Sequence, residues 1–212
     1  MSLQKKIFLQ GEGDNLFLRN KDTLDKKNYN KDFIVHEVKK LIKKKNFKSI
    51  LEIGCGDGKR LSFIKKNFKV SCFGIDPSSK SLLSNNDKKI ILKKGTADNI
   101  PFKKHKFDLI IFSFCLYLCD DGDLLKIINE TFRVLKKRSF ILIYDFFLKD
   151  FKYVVYKHNR LVKSRKMDYS KLFLWHPKIK KIKFKKIYER ENKLSKNKKL
   201  NCTALHLLKT DF

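Results

Sequence analysis

Apolar residues along the chain follow two different periods, and the switches between them mark out a repeating order of strand and helix. Short runs at 50–53, 70–75, 89–92, 107–114 and 140–145 are apolar at neighbouring positions, as expected of strands buried on both faces of a parallel sheet. Between these runs the spacing turns helical. Phe33, Ile34, Val38, Leu41 and Ile42 share one face of a predicted helix over 32–45, with lysines on the other. Leu124, Ile127, Ile128, Phe132 and Leu135 do the same over 120–136, where the leading aspartates suit the positive end of a helix. A further helix opens at Lys59, and another is capped by Ser78 and runs to about Leu83. Strands alternating with helices predict an α/β chain with a mostly parallel sheet. After residue 146 the pattern weakens, and 181–191 and 201–209 then read as two strands about a polar turn at 192–199.

The first of these strands runs into Glu52-Ile53-Gly54-Cys55-Gly56-Asp57-Gly58. Glycine at alternate positions lets the chain turn sharply and lie against a flat ligand. The helix that follows leaves free amides facing the turn, so strand, turn and helix start together form a nucleotide-type cradle. A dinucleotide fingerprint, Gly-x-Gly-x-x-Gly, would need glycine at position 59, where this chain has Lys59. Asp76, about 20 positions past the glycines at the end of the second strand and followed by Pro77, is suited to bind the two hydroxyls of a ribose.

With these residues the chain resembles the class I S-adenosylmethionine-dependent methyltransferases, of the small-molecule, methyltransferase-11-like type, whose first motif has the form Glu-x-Gly-x-Gly-x-Gly. The resemblance implies one Rossmann-like domain over 1–212, with a seven-stranded, mostly parallel sheet, an antiparallel last strand and helices on both faces. Its parts would be a flap and helix over 1–46, a cofactor-binding core over 48–146, an acceptor-pocket insertion over 147–180 and a terminal hairpin over 181–212. It also implies S-adenosyl-L-methionine as cofactor, held by Glu52, Gly54, Cys55, Gly56, Gly58, Asp76, Pro77, Ala97, Asp98, Ser113 and Phe114, with Asp98 on the adenine amino group. A flap before the first strand would place Phe17, Arg19 and Asn20 over the cofactor, although an ordinary polar lead-in fits residues 7–30 equally well. Lys136-Lys137-Arg138-Ser139 stands where the family usually has glycines, which puts the geometry of that turn in question.

Several absences narrow the acceptor. The segment after Ser113 lacks the Asp/Asn-Pro-Pro-Tyr/Phe of enzymes acting on base amines, the Pro-Cys of those acting on cytosine carbon, and the glutamate pair of protein-arginine enzymes. Cys115 and Cys119 therefore read as core or pocket lining. A small-molecule acceptor, such as a sugar or other hydroxylated metabolite, is the favoured expectation. A hydroxyl would need a base, for which His158, His176, Asp145 and Tyr117 are weak candidates.

Composition changes this picture only at the edges. The net charge of +29 invites a nucleic-acid reading, and an RNA methyltransferase using the basic surface is the second expectation. However, arginine, the residue suited to bidentate recognition, occurs at only seven positions, while lysine is spread from end to end among Asn, Ile and Phe. That mixture fits a bias toward A and T codons. A non-catalytic cofactor-binding partner subunit is the third expectation. Five cysteines without a Cys-x-x-Cys pair predict reduced thiols and no metal site. No apolar run approaches the roughly 20 residues that span a bilayer, so a soluble, cytoplasmic protein without membrane partners is expected.

Overall fold

The computed structural model of the protein describes residues 1–188 and 202–212, so the turn expected at 192–199 lies outside the described residues. Seven strands form one sheet: β1 (Ser49–Ile53), β2 (Ser71–Asp76), β3 (Ile91–Lys94), β4 (Phe107–Ser113), β5 (Leu135–Phe146), β8 (Ile179–Tyr188) and β9 (Cys202–Thr210). Their spatial order is β3-β2-β1-β4-β5-β9-β8. Every neighbouring pair from β3 to β5 is parallel, and β9 runs antiparallel to both β5 and β8. The expected mixed seven-stranded sheet is therefore present.

Successive side chains of a strand point to opposite faces, and β4 shows how each face is filled. Leu109 and Ile111 join Ile50, Leu142 and Leu205 in a core with α3 (Phe33–Lys44) and α4 (Lys59–Asn67), through Ile34, Val38, Leu61 and Ile64. Ile110 and Phe112 face the other way, onto Ile127, Ile128 and Val134 of α6 (Leu124–Val134) and Phe173 of α7 (Lys171–Leu174). Burying such a side chain contributes about 1.5–3 kcal/mol, which is why apolar runs without alternation settle in the middle of a sheet covered on both sides.

Three local expectations need correction. Strand β3 begins at Ile91, two residues later than its apolar run, because it is a mostly exposed edge and only Ile90 of that run enters the core. Strand β5 begins at Leu135, so the Lys-Lys-Arg-Ser stretch lies inside it as a bulge. Arg138 adopts φ 54, the pairing with β4 slips between Phe107 and Leu109, and an arginine takes the conformation expected of glycine. The segment 7–30 is mostly helical: α1 (Leu3–Ile7), a kinked stretch over Phe8–Glu12 with Gly11 at φ 145, and α2 (Gly13–Asp25). The expected pocket insertion, 147–180, forms a hairpin of β6 (Lys152–Val155) and β7 (Lys163–Lys166), followed by α7.

Tyr156 and Val162 of this insertion pack on Phe8 and Leu118, clamping the amino-terminal helices to the end of β4. The clamp has a polar centre, where Arg19 and the Tyr156 hydroxyl both donate to Glu12 Oε1. Arg165, buried in β7, binds Asp121 and the Leu116 carbonyl from behind.

Near the far edge of the sheet, His206 of β9 is buried between Phe147 and Phe184, with its Nε2 3.6 Å from Asp168. Burial pulls its pKa down to about 4, against the raising influence of Asp168. The folded protein therefore binds fewer protons than the unfolded chain between about pH 4 and 6.5, and stability falls as pH drops through that window. We expect His206→Leu to lose about 2 kcal/mol less than the parent between pH 7.5 and pH 5. Urea titrations at the two pH values would read this, and parallel losses in both proteins would refute it.

Candidate active site

The carboxyl ends of β1, β2, β4 and β5 open onto a cavity of about 780 Å³, with α1, α2 and the segment reaching to Tyr29 forming its cover. This is where ligands bind in open α/β sheets, because the connections diverge there and leave a crevice. The glycine turn forms its floor. The Gly54 and Cys55 amides both donate to the Ile75 carbonyl, at 2.9 and 3.1 Å, and hold the turn against β2. The Gly56 amide donates to Asp76 Oδ2 at 2.8 Å, and the Ser78 amide donates to Asp76 Oδ1 at the same distance. One carboxylate thus ties the glycine turn to the start of the next helix. Burial pushes its pKa up to about 6 even though both amides pull it down.

Of the residues singled out from the sequence, Gly54, Cys55, Gly56, Asp76, Pro77, Ala97, Asp98, Ser113, Phe114 and Tyr117 border this one cavity. Phe17 and Asn20 also border it, from α2, whereas Arg19 turns away to Glu12 and Tyr156. Glu52, Gly58, Asp145, His158 and His176 do not line it.

Their positions explain why. Glu52 is fully buried one layer below, where its Oε1 accepts from Arg60 Nη1, its Oε2 has no partner, and burial raises its pKa to about 7. Gly58 faces Leu92 and Ile90, the nearest of which a β-carbon there would meet at 3.0 Å, so it serves the packing of α4 on β3. Asp145 points to the far side of β5 and accepts the Leu116 and Phe146 amides at 3.0 and 2.8 Å, fixing the turn after β4. His158 is exposed beside Tyr156, and His176 packs among Phe132, Trp175 and Phe212 behind α6. No residue of 147–180 lines the cavity, which corrects the expectation of an acceptor-pocket insertion: its apolar side chains are used in the clamp on α1 and α2.

Other lining residues were not foreseen. Arg60 lies on α4 in what reads as a helix surface, but Glu52 and Asp32, which also caps α3, draw it inward, and Lys27 joins Asp32 at 2.7 Å. Lys5 reaches from α1 to Asp98 and Asp123, so the carboxylate expected on adenine is held by an ammonium of the cover. Tyr144 and Phe146 point into the cavity from alternate positions of β5. Phe114 adopts φ 50 while its amide donates to the Tyr144 carbonyl at 2.9 Å, a conformation that costs on the order of 1–3 kcal/mol and clusters at functional sites.

A sheet of this order, a glycine turn at its topological switch and an aspartate at the end of the adjacent strand define a nucleotide-type site. Residues 50–138 match the model of a family described as a methyltransferase domain. That stretch is less than half of the chain, and over it the chain is similar to methyltransferase domains. A curated relative, norajmaline N-methyltransferase from Rauvolfia serpentina, is 28% identical over 107 residues. That match covers 47% of this chain and 36% of the relative's length.

Among solved structures, a 1,6-didemethyltoxoflavin-N1-methyltransferase from Burkholderia thailandensis, determined with 1,6-didemethyltoxoflavin and S-adenosylhomocysteine bound, is similar with a TM-score of 0.72. It is 9% identical over 100% of this chain and 92% of its own. A methyltransferase from Methanosarcina mazei gives a TM-score of 0.60 at 19% identity, covering 77% of this chain and 92% of that one. Among the described residues, no helix is long and apolar enough to cross a membrane and no cluster suits a metal ion.

Proposed function

We propose that the chain transfers a methyl group from S-adenosyl-L-methionine to a small-molecule acceptor within this cavity. The observation that carries the reading is the bridge from Asp76 to Gly56 beneath open space. A β-carbon on Gly56 would meet nothing within 4 Å, so the turn leaves room for a ligand at closest approach to backbone. Asp76 is suited to the ribose hydroxyls, and Arg60 and Lys27 also line the cavity, where they would meet a carboxylate group of the cofactor.

The bound cofactor supplies an electrophilic methyl group on a sulfonium. The protein's part is then to hold an acceptor atom in line and to exclude water, and positioning of that kind supplies on the order of 7–11 kcal/mol. At 780 Å³ the cavity lies within the usual size of small-molecule sites, and α1 and α2 line one side of it.

The finer expectation, a sugar or other hydroxylated acceptor, gains no support from the site. His158, His176 and Asp145 lie away from the cavity, and burial drives the Tyr117 phenol up, so it does not ionise to serve as a base.

Calorimetric titration with S-adenosylhomocysteine tests the reading directly. Binding is expected for the parent. Asp76→Ala should weaken it by about 1–3 kcal/mol through lost charged hydrogen bonds. A parent protein that takes up no S-adenosylhomocysteine would end the proposal.

A further inference from the structure

The cavity has a second half, of which the cofactor reading uses only Phe114. Where β4 and β5 end, four rings join edge to face into one wall. Tyr144 meets Phe114 at 5.0 Å between centroids, Phe114 meets Phe146 at 5.5 Å, and Phe146 meets Tyr117 at 5.0 Å, with interplanar angles of 70°, 73° and 76°. All four border the cavity and all are partly exposed to it. Resting on the methyl-transfer reading above, we propose that this wall is the acceptor subsite and that it takes a flat, uncharged heteroaromatic molecule, methylated on a ring nitrogen.

Three features of the site converge on that chemistry. Ring faces and edges are complementary to another flat π-system and offer little to a sugar, whose hydroxyls need convergent donors and acceptors. Charge gives the second. Asp57, Asp76, Asp98, Asp120 and Asp123 border the cavity, against Lys5, Lys27 and Arg60. A chain of net charge +29 thus surrounds its site with an excess of carboxylates, which repels phosphorylated or carboxylated acceptors and nucleic acid and admits neutral ones.

The third is the lack of a free base: the five lining aspartates are each held by a backbone amide or by the Lys5 ammonium. Among the described residues lining the cavity there is no histidine and no glutamate, and burial drives the thiols of Cys115 and Cys119 up as it does the phenol of Tyr117. An aliphatic hydroxyl would remain protonated here. A ring nitrogen brings its own lone pair, which forms the new bond to the methyl carbon as the carbon–sulfur bond breaks. The electron pair of the broken bond stays on sulfur, and the positive charge passes to the ring. Any hydrogen on that nitrogen then leaves to water as a proton.

The test is calorimetry on protein saturated with S-adenosylhomocysteine, using three probes: isoquinoline, 2-naphthyl phosphate and methyl glucoside. Isoquinoline is expected to bind most tightly, and with S-adenosyl-L-methionine in place of the product it should yield N-methylisoquinolinium by mass spectrometry. Phe146→Ala should weaken isoquinoline at least tenfold while affinity for S-adenosylhomocysteine stays within twofold. Phe184→Ala, an exposed ring on β8 outside the cavity, should alter neither.

Tighter binding of the phosphate or the glucoside would overturn the proposal, as would absence of isoquinoline binding in protein that binds S-adenosylhomocysteine. Isoquinoline that binds but is not methylated would overturn the nitrogen assignment. Failure to bind S-adenosylhomocysteine is a separate result, which removes the methyl-transfer reading and this proposal with it.

Discussion

Gly56→Val is expected to lower affinity for S-adenosylhomocysteine at least about 1,000-fold, or about 4 kcal/mol, while the protein still folds. The two halves of that expectation come from one observation. A β-carbon at position 56 would meet no protein atom within 4 Å, so no packing contact resists it. The open space it would enter belongs to the cavity floor, and a branched side chain there occupies the place a ligand must take to reach the backbone.

The change has a structural cost, because Gly56 sits at φ 55 and a β-branched residue is strained in that region. At about 1–2 kcal/mol, the strain should lower Tm by about 2–8 °C. Asp76 keeps its partner in the variant, since the contact is made by the backbone amide of residue 56. Calorimetry and thermal unfolding on the same preparation separate ligand loss from unfolding. Near-parental affinity in folded Gly56→Val would mean that the ligand lies elsewhere.

The fold was largely legible because its strands are buried on both faces. Runs such as 107–114 then need no alternation, and the intervening helices carry their own period. Glu52 to Gly58 and Asp76 were legible for a related reason. The turn is local in sequence, and the aspartate follows at a spacing set by one helix and one strand.

The remainder depended on contacts that sequence spacing does not carry. Arg60 has the look of a solvent-facing helix residue and is buried only because Asp32 and Glu52 arrive from other elements. The family resemblance implied an acceptor pocket over 147–180. Its Tyr156 instead packs behind the amino-terminal helices, and the rings that face the cavity are Tyr144 and Phe146, at the end of a strand where alternation resumes. In the segment 7–30 the sequence left a flap and a plain lead-in equally open, because the helical period there is interrupted by Gly11 and Gly13. The chain kinks at Gly11, with φ 145, and resumes as helix from Gly13.

Gly54→Ala, two residues from the first substitution, should act on stability instead of binding. A β-carbon there would lie 2.6 Å from the Cys115 β-carbon, closer than real contacts allow, and the backbone sits at φ 72. The neighbouring atom cannot turn aside, because a β-carbon is fixed to its own backbone. Relief must therefore come from moving the end of β4 or from lifting the turn off the Ile75 carbonyl, which accepts both the Gly54 and Cys55 amides.

Strand β1 lies between β2 and β4 at the centre of the sheet, so either movement disturbs pairings on both sides. Overpacking and backbone strain together place the expected loss at about 3–5 kcal/mol, a large share of the stability of a domain this size. Urea unfolding would measure it. A second variant isolates the cause: Cys115→Gly in the Gly54→Ala background removes the clash but leaves the strain at φ 72. It should recover about 1–3 kcal/mol relative to the sum of the single changes. Simple additivity in that cycle would show that the turn and the end of β4 are not in contact as described.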